Sequence, residues 1–216
     1  MKLYGYFRSS ATYRVRIALA LKGIPWQPVM VDLRAPVSAQ HTREFRALNP
    51  HRLIPVLVDG EHRLTQSLAI LEYLEETHPQ PPLLPREPAA RAAVRALALA
   101  VACDIHPLNN LRVLNYLRTQ LGQDESAVNA WYAHWVAQGF AALERDAGHL
   151  SGDGRHMYGT TVTLADVCIV PQMANARRFN CDLTPYPALR AICTHLESLP
   201  AFAQAAPQVQ PDASPA

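Results

Sequence analysis

No apolar run in this chain approaches the ~20 residues that a helix needs to cross a bilayer, so no membrane partner is expected. The four cysteines, Cys103, Cys168, Cys181 and Cys193, all lie in the second half and form no C-x-x-C pair. Reduced, partly buried thiols are expected of them, rather than a disulfide framework. The nine histidines show no H-E-x-x-H or similar ligand spacing, and no metal is expected. An excess of one charge is missing too: 20 Lys and Arg stand against 18 Asp and Glu, interspersed, for a net charge of +2. A nucleic-acid partner needs a basic face, and this balance makes no case for one, although it leaves room for a small basic pocket. Lys2 is followed by only a short apolar run before Arg8, so no signal peptide is read and a cytoplasmic location is expected. No internal repeat is visible.

What is present is ample apolar content. The 216 residues are 49% hydrophobic, enough for one large domain or two compact ones with packed cores. A composition break falls at Pro79-Gln80-Pro81-Pro82-Leu83-Leu84-Pro85, where four prolines in seven residues cannot continue a helix. Before it, periodicity predicts strands at 2–6, 27–33, 54–58 and 62–65, with helices at 12–21, 42–48 and 67–77. Asp59-Gly60 between the last two strands is a strong hairpin signal. The order is βαβαββα, an α/β unit with a mixed four-stranded sheet. After the break the pattern is almost wholly helical: 89–120 with a bend or short break, 125–149, an apolar and therefore central 163–179, then 186–196 and 201–205. The polar, proline-bearing tail from Gln208 is expected to be loose. The division read from this is 1–80, a linker at 81–88, and an all-helical 89–216.

The most informative stretch is Phe7-Arg8-Ser9-Ser10-Ala11-Thr12-Tyr13-Arg14. A strand gives way to two hydroxyls and then a helix, which aims hydroxyls and unpaired N–H groups at one spot where a thiolate or carboxylate can be held. Ser10 could instead merely cap that helix. Ser67 stands at a second strand-to-helix junction, where it can cap the helix while the backbone N–H groups receive a carboxylate. Thr163-Leu164-Ala165-Asp166 has capping-box spacing and reads as structural. Trp131, Trp135 and Phe140 at helical spacing read as core.

Arg8-Ser9-Ser10, Tyr13 to Leu19, Leu48-Asn49-Pro50, Ile54-Pro55, Gln66-Ser67-Leu68-Ala69-Ile70 and Leu183-Thr184-Pro185-Tyr186-Pro187 stand in one order along the chain. Together they resemble the zeta class of the cytosolic glutathione transferases, which includes maleylacetoacetate isomerase and maleylpyruvate isomerase. The resemblance implies a thioredoxin-like first domain, an all-α second domain, a homodimer, and glutathione as cofactor. It assigns Ser9 as the main thiolate partner with Ser10 nearby, a cis Ile54-Pro55 bond whose Ile54 backbone pairs with the cysteinyl part, and Gln66 and Ser67 for the γ-glutamyl carboxylate. His41 and Arg52 line the glycine end or are solvated surface. His106 and Asn110, in the interrupted segment His106-Pro107-Leu108-Asn109-Asn110, contact glutathione, or His106 is a satisfied core residue. Arg8, Arg112 and Arg178 are matched to a substrate with two carboxylates, which a planar guanidinium suits, or they are surface ion-pair members; Arg177 is left to solvent.

The family pattern Ser-Ser-Cys reads Ser9-Ser10-Ala11 here, so no intrinsic thiol contributes at that place. The implied reaction is cis–trans isomerisation of a maleyl keto acid: glutathione thiolate adds to the alkene, the bond rotates in the enolate, and thiolate leaves. His106, Asn110 and Arg112 lean the substrate toward maleylpyruvate over maleylacetoacetate. The rivals are a general transferase that conjugates electrophiles or dehalogenates α-halo acids, and a non-catalytic binding module.

Overall fold

The computed structural model describes residues 1–34 and 38–213. The chain divides into two compact units, Met1–Pro82 with Leu199–Ala216, and Leu83–Ser198. The last helix and tail thus group with the first unit, although the sequence reading set them with the helical domain.

In the first unit, β1 (Lys2–Gly5), β2 (Gln27–Met30), β3 (Val56–Asp59) and β4 (His62–Thr65) form one sheet in the order β2-β1-β3-β4. β1 and β2 are parallel, and β1/β3 and β3/β4 are antiparallel. β3 and β4 turn at Gly60-Glu61, where Gly60 takes a φ of 57° that a side chain would disfavour. The period-2 alternation sorts the strand residues. Val56 packs with Val31 and Phe45, flanked by Tyr4 and Val58, against α2 (Arg43–Leu48). Leu3 and Leu57, paired in register, face the other way, toward α1 (Ser10–Leu21) and α3 (Ser67–Thr77). α1 and α3 pack on each other through fully buried residues such as Val15, Leu19, Ile70 and Leu74. Buried Lys22 joins Glu75 (2.8 Å) to the carbonyls of His78 and Pro81, and so ties the proline-rich stretch to both helices.

The tail is not loose through its described length. α9 (Pro200–Ala205) packs on α1, a 3-10 turn follows at Pro207–Val209, and Asp212 Oδ2 accepts a hydrogen bond from Phe7 N–H at 2.9 Å. Local composition could not show this, because the partner lies 205 residues away. Residues 214–216 of that tail lie outside the described residues.

The second unit comprises α4 (Pro88–Leu99), α5 (Leu111–Thr119), α6 (Glu125–Leu150), α7 (Leu164–Arg178) and α8 (Pro187–Ser198). α7 is buried from Leu164 to Met173 and packs on α4 and α8, which makes it central. The expected capping box is present. Asp166 Oδ2 accepts from Thr163 N–H (2.7 Å) and Thr163 O–H (2.9 Å), and Oδ1 accepts from Met157 N–H (2.7 Å). Burial pushes this carboxyl above its ordinary range, against the three hydrogen bonds that hold its anion. The expected break in the first long helix is a π-helical turn, Ala100–Ile105, followed by the non-helical His106–Asn110.

Candidate active site

Register assembles the site. β1 runs toward Gly5, Val56 opens β3 opposite Tyr4, and Thr65 closes β4 opposite Val56. The loop after β1, the Ile54-Pro55 pair before β3 and the Gln66-Ser67 pair after β4 therefore emerge at one end of the sheet. Arg8, Ser9, Ser10, Ile54, Pro55, Gln66 and Ser67 come together there, although 59 positions separate the ends of this set (67 − 8). α1 and α3 both begin at that end, and each presents unpaired backbone N–H groups and the positive end of its dipole.

Ser9, not Ser10, caps α1: its Oγ accepts from Thr12 N–H at 3.2 Å, with the backbone extended at φ −70°, ψ 114°. Ser10 is the first helical residue and is buried. The distinction is chemical. A hydroxyl oxygen already engaged by a helix N–H keeps its proton to donate outward, toward an anion. Arg8 is exposed, its guanidinium carbon 4.9 Å from the centre of the Phe7 ring. Nearby Tyr6 has its phenol pushed up by burial, opposed by Arg34 and Arg8.

The second junction differs from expectation in the same way. Ser67 does not cap α3. It is the first helical residue, and its Oγ turns inward to accept from Arg14 Nη1 at 3.2 Å. Arg14 is 1% exposed, so a buried cation stands directly behind the N-terminus of α3 and adds to its pull on a carboxylate. Gln66 precedes the helix at φ 67°, ψ 118°, a strained conformation for a residue with a Cβ. Its exposed side chain belongs to the same edge. Sequence reading missed Arg14. The available signal was an arginine at a position that α1 buries along with its apolar neighbours.

Ile54-Pro55 is cis, with Pro55 buried and Ile54 half-buried; Gln80-Pro81 is also cis, which was not expected. Arg52, exposed at φ 57°, lies two residues before Ile54. His41 is exposed in the 3-10 turn Ala39–His41, and among the described residues no side-chain hydrogen bond ties it to the strand-end cluster.

The remaining candidates lie in the helical unit. His106 is half-buried at the end of the π turn. Asn110 caps α5, its Oδ1 accepting from Arg112 N–H at 3.1 Å, which leaves its NH2 group as the donor for any ligand. Two bonds fix this segment against α6: Trp131 Nε1–H to the Leu108 carbonyl (2.9 Å) and Asn109 Nδ2–H to the Tyr132 carbonyl (3.1 Å). Trp131 is thus more than core filler. Arg112 is exposed at the second position of α5.

Arg178 ends α7, exposed, with Nη2 donating to Asn175 Oδ1 (3.2 Å) and its guanidinium carbon 4.8 Å from the centre of the Phe179 ring. Phe179 stacks on Tyr132 at 3.7 Å, and burial pushes the Tyr132 phenol far up, so it remains a neutral donor beside Arg178 and Gln172. Arg177 makes an exposed ion pair with Glu197, in keeping with its assignment to solvent.

Two helix N-termini, a hydroxyl poised to donate and a cation behind a serine suit a small molecule bearing a thiolate and a carboxylate. Comparison with known proteins agrees. Residues 3–82 match the family model of the glutathione S-transferase N-terminal domain. A "probable maleylacetoacetate isomerase" of Vibrio cholerae is 53% identical over 211 residues, 98% of this chain and 97% of that one. The chain belongs to the zeta-class glutathione transferase and maleylacetoacetate isomerase family. The maleylpyruvate isomerase of a Ralstonia species is 48% identical over 215 residues, 99% of this chain and all of that one.

Among solved structures, the holo form of a maleylpyruvate isomerase, described as a bacterial zeta-class glutathione S-transferase, superposes with a TM-score of 0.96 at 48% identity, covering 99% of this chain and all of that one. The Methylobacterium extorquens maleylacetoacetate isomerase with bound malonate and glutathione has a TM-score of 0.94 at 42% identity, with both chains fully covered. This zeta-class chain therefore has the expected fold, a thioredoxin-like sheet unit and a helical unit. Among the described residues, no helix is long and apolar enough to cross a membrane.

Proposed function

We propose that this protein is a glutathione-dependent cis–trans isomerase that converts a maleyl keto acid, maleylpyruvate or maleylacetoacetate, to its fumaryl form in the breakdown of aromatic compounds. The observation that carries the reading is the donor-poised Ser9 hydroxyl at a strand end shared with the N-terminus of α3, in a chain that matches two named isomerases over nearly its whole length.

Glutathione, when bound, supplies the thiolate that adds to the alkene and leaves after the carbon–carbon bond has rotated. Ser9 donates to that sulfur and enlarges the fraction ionised at neutral pH. Ser10 lies beside it. The backbone of Ile54, with Pro55, positions the cysteinyl part. Gln66, the N-terminus of α3 and Arg14 behind Ser67 hold the γ-glutamyl carboxylate. His106, Asn110, His41 and Arg52 are the further contacts proposed for the tripeptide. Arg8, Arg112 and Arg178 bind the substrate's carboxylates, and Arg8 or Arg178 offsets the negative charge that develops on its carbonyl oxygen. A relative described with both malonate and glutathione bound supports an acidic substrate.

Ala11 leaves no cysteine at the motif position to act in place of the cofactor. The working form is proposed to be a homodimer, which sedimentation of the purified protein tests, and its location the cytoplasm, which cell fractionation tests. The function is tested by assaying both maleyl acids with glutathione and following glutathione itself. Isomerisation with glutathione conserved supports the reading. Stoichiometric consumption of glutathione, with no fumaryl product, replaces it with a conjugating transferase.

A further inference from the structure

Phe7 immediately precedes Arg8 and Ser9, and side chains from elsewhere in the fold hold both of its backbone polar groups. Its N–H donates to Asp212 Oδ2 at 2.9 Å. Its carbonyl accepts from Arg16 Nη2 at 3.0 Å. Arg16 is 3% exposed and donates its Nε–H to the Ala205 carbonyl at 2.9 Å, where α9 ends. Ser9 N–H bonds back to the Tyr6 carbonyl at 3.0 Å, so Phe7 and Arg8 are the two central residues of a turn that ends on Ser9. Clamping both peptide groups of Phe7 fixes the direction in which that turn delivers Ser9.

A groove of about 230 Å³ borders Asp212, lined also by Tyr6, Thr12, Arg16, Trp26 and Met30 among others.

We propose that Asp212 is a positioning residue: from the far end of the chain it holds the Tyr6–Ser9 turn so that the Ser9 hydroxyl meets the cofactor's sulfur. The proposal rests on the reading of Ser9 given above. It is separable from a through-space effect, because the two have opposite signs. Removing a negative charge near a thiolate would favour the thiolate and lower the thiol's pKa. Releasing the turn weakens the Ser9 contact and raises it.

Asp212→Asn keeps an acceptor oxygen for Phe7 N–H and removes the charge, whereas Asp212→Ala removes both. Two readouts are taken: amide hydrogen exchange at Phe7 and Ser9 in the ligand-free protein, and the pH midpoint of thiolate absorbance with glutathione bound. For Asp212→Ala, exchange at these amides rises about tenfold or more. Its thiolate midpoint rises by about one unit, and kcat/KM at neutral pH falls about tenfold. Asp212→Asn stays within about threefold of wild type in exchange and in kcat/KM.

The proposal is overturned if Asp212→Ala leaves exchange and midpoint at wild-type values, or if Asp212→Asn and Asp212→Ala shift the midpoint down together. Should Asp212→Ala fail to fold, Asp212→Ser, whose shorter side chain no longer reaches Phe7 N–H, takes its place: accelerated exchange at Phe7 and Ser9 supports the clamp, and wild-type exchange overturns it. The exchange measurement needs no ligand. A wild-type protein without isomerase activity would thus sink the proposed function, while exchange still judged the clamp.

Discussion

Ser9→Ala removes a hydroxyl that caps the helix and, under the proposed function, donates to the cofactor, and the two losses can be measured apart. The Oγ caps α1 through Thr12 N–H at 3.2 Å, and an N-cap Ser→Ala change costs about 1 kcal/mol of stability. In the proposed site the hydroxyl proton is donated to the thiolate, and a hydrogen bond to a charged group contributes roughly 1.5–3 kcal/mol. At about 1.4 kcal/mol per pKa unit, its loss raises the thiol by roughly one to two units, toward the value of about 8.5 for an unassisted thiol. At neutral pH the ionised fraction, and with it kcat/KM, falls roughly eight- to twenty-five-fold, and the deficit shrinks as the pH approaches about 9.

Ser9→Gly is the control. Glycine is a tolerable N-cap, so this variant loses only a few tenths of a kcal/mol, yet it lacks the same donor. Both variants are expected to share the kinetic loss and the upward shift of the pH profile, and only the alanine variant to lose the cap's stability in urea denaturation. If both retained wild-type kcat/KM across the pH range, Ser9 would be a helix cap and nothing more.

Other consequences are equally exposed to measurement. Gln66→Gly relieves a φ of 67° and is expected to raise stability by roughly 1 kcal/mol while weakening glutathione binding, measured by denaturation and calorimetry. Asp166→Ala strands three buried donors, Met157 N–H and both donors of Thr163, and is expected to cost roughly 3–4 kcal/mol in unfolding experiments.

Gly139→Ala would drive a Cβ into the Cδ1 and Cγ1 of buried Ile105 in the π turn. About 1–3 kcal/mol of overpacking outweighs the gain in helix propensity, and Ile105→Ala in the same chain should recover part of the loss. The Arg34 guanidinium holds the Asp32 carboxyl down to about 2. Because that pKa is depressed, the pair's contribution is present above the ordinary carboxylate range and is lost as the pH falls toward about 2. Arg34→Ala should raise the Asp32 titration by NMR only part of the way to the ordinary range, because the backbone N–H of residue 34 still donates to its Oδ1.

Local patterns carried most of the fold. The alternation in β1, the Asp59-Gly60 turn and the apolar spacing of Leu68, Leu71 and Leu74 set the βαβαββα order, and α3 begins and ends at the expected residues, Ser67 and Thr77. What stayed hidden depends on distant partners. Whether Ser9 or Ser10 caps α1 is a matter of one residue of helix phase, fixed by the turn that ends at Ser9. Ser67 faces inward only because α1 brings Arg14 beside it, 53 residues away in sequence. Asp212 looked like loose tail because Phe7 is at the other end of the chain. Pro107 announced a break but not its form: the π turn at Ala100–Ile105 itself contains neither proline nor glycine, and its Ile105 lies against Gly139.

The central claim is that the working sulfur is borrowed, since Ala11 occupies the place of the family's cysteine. The direct measurement is the rate on maleylpyruvate and maleylacetoacetate after exhaustive removal of low-molecular-weight thiols, then after glutathione is restored. Activity should vanish on removal and return in full with glutathione unspent. An undiminished rate in the thiol-free protein would contradict the account.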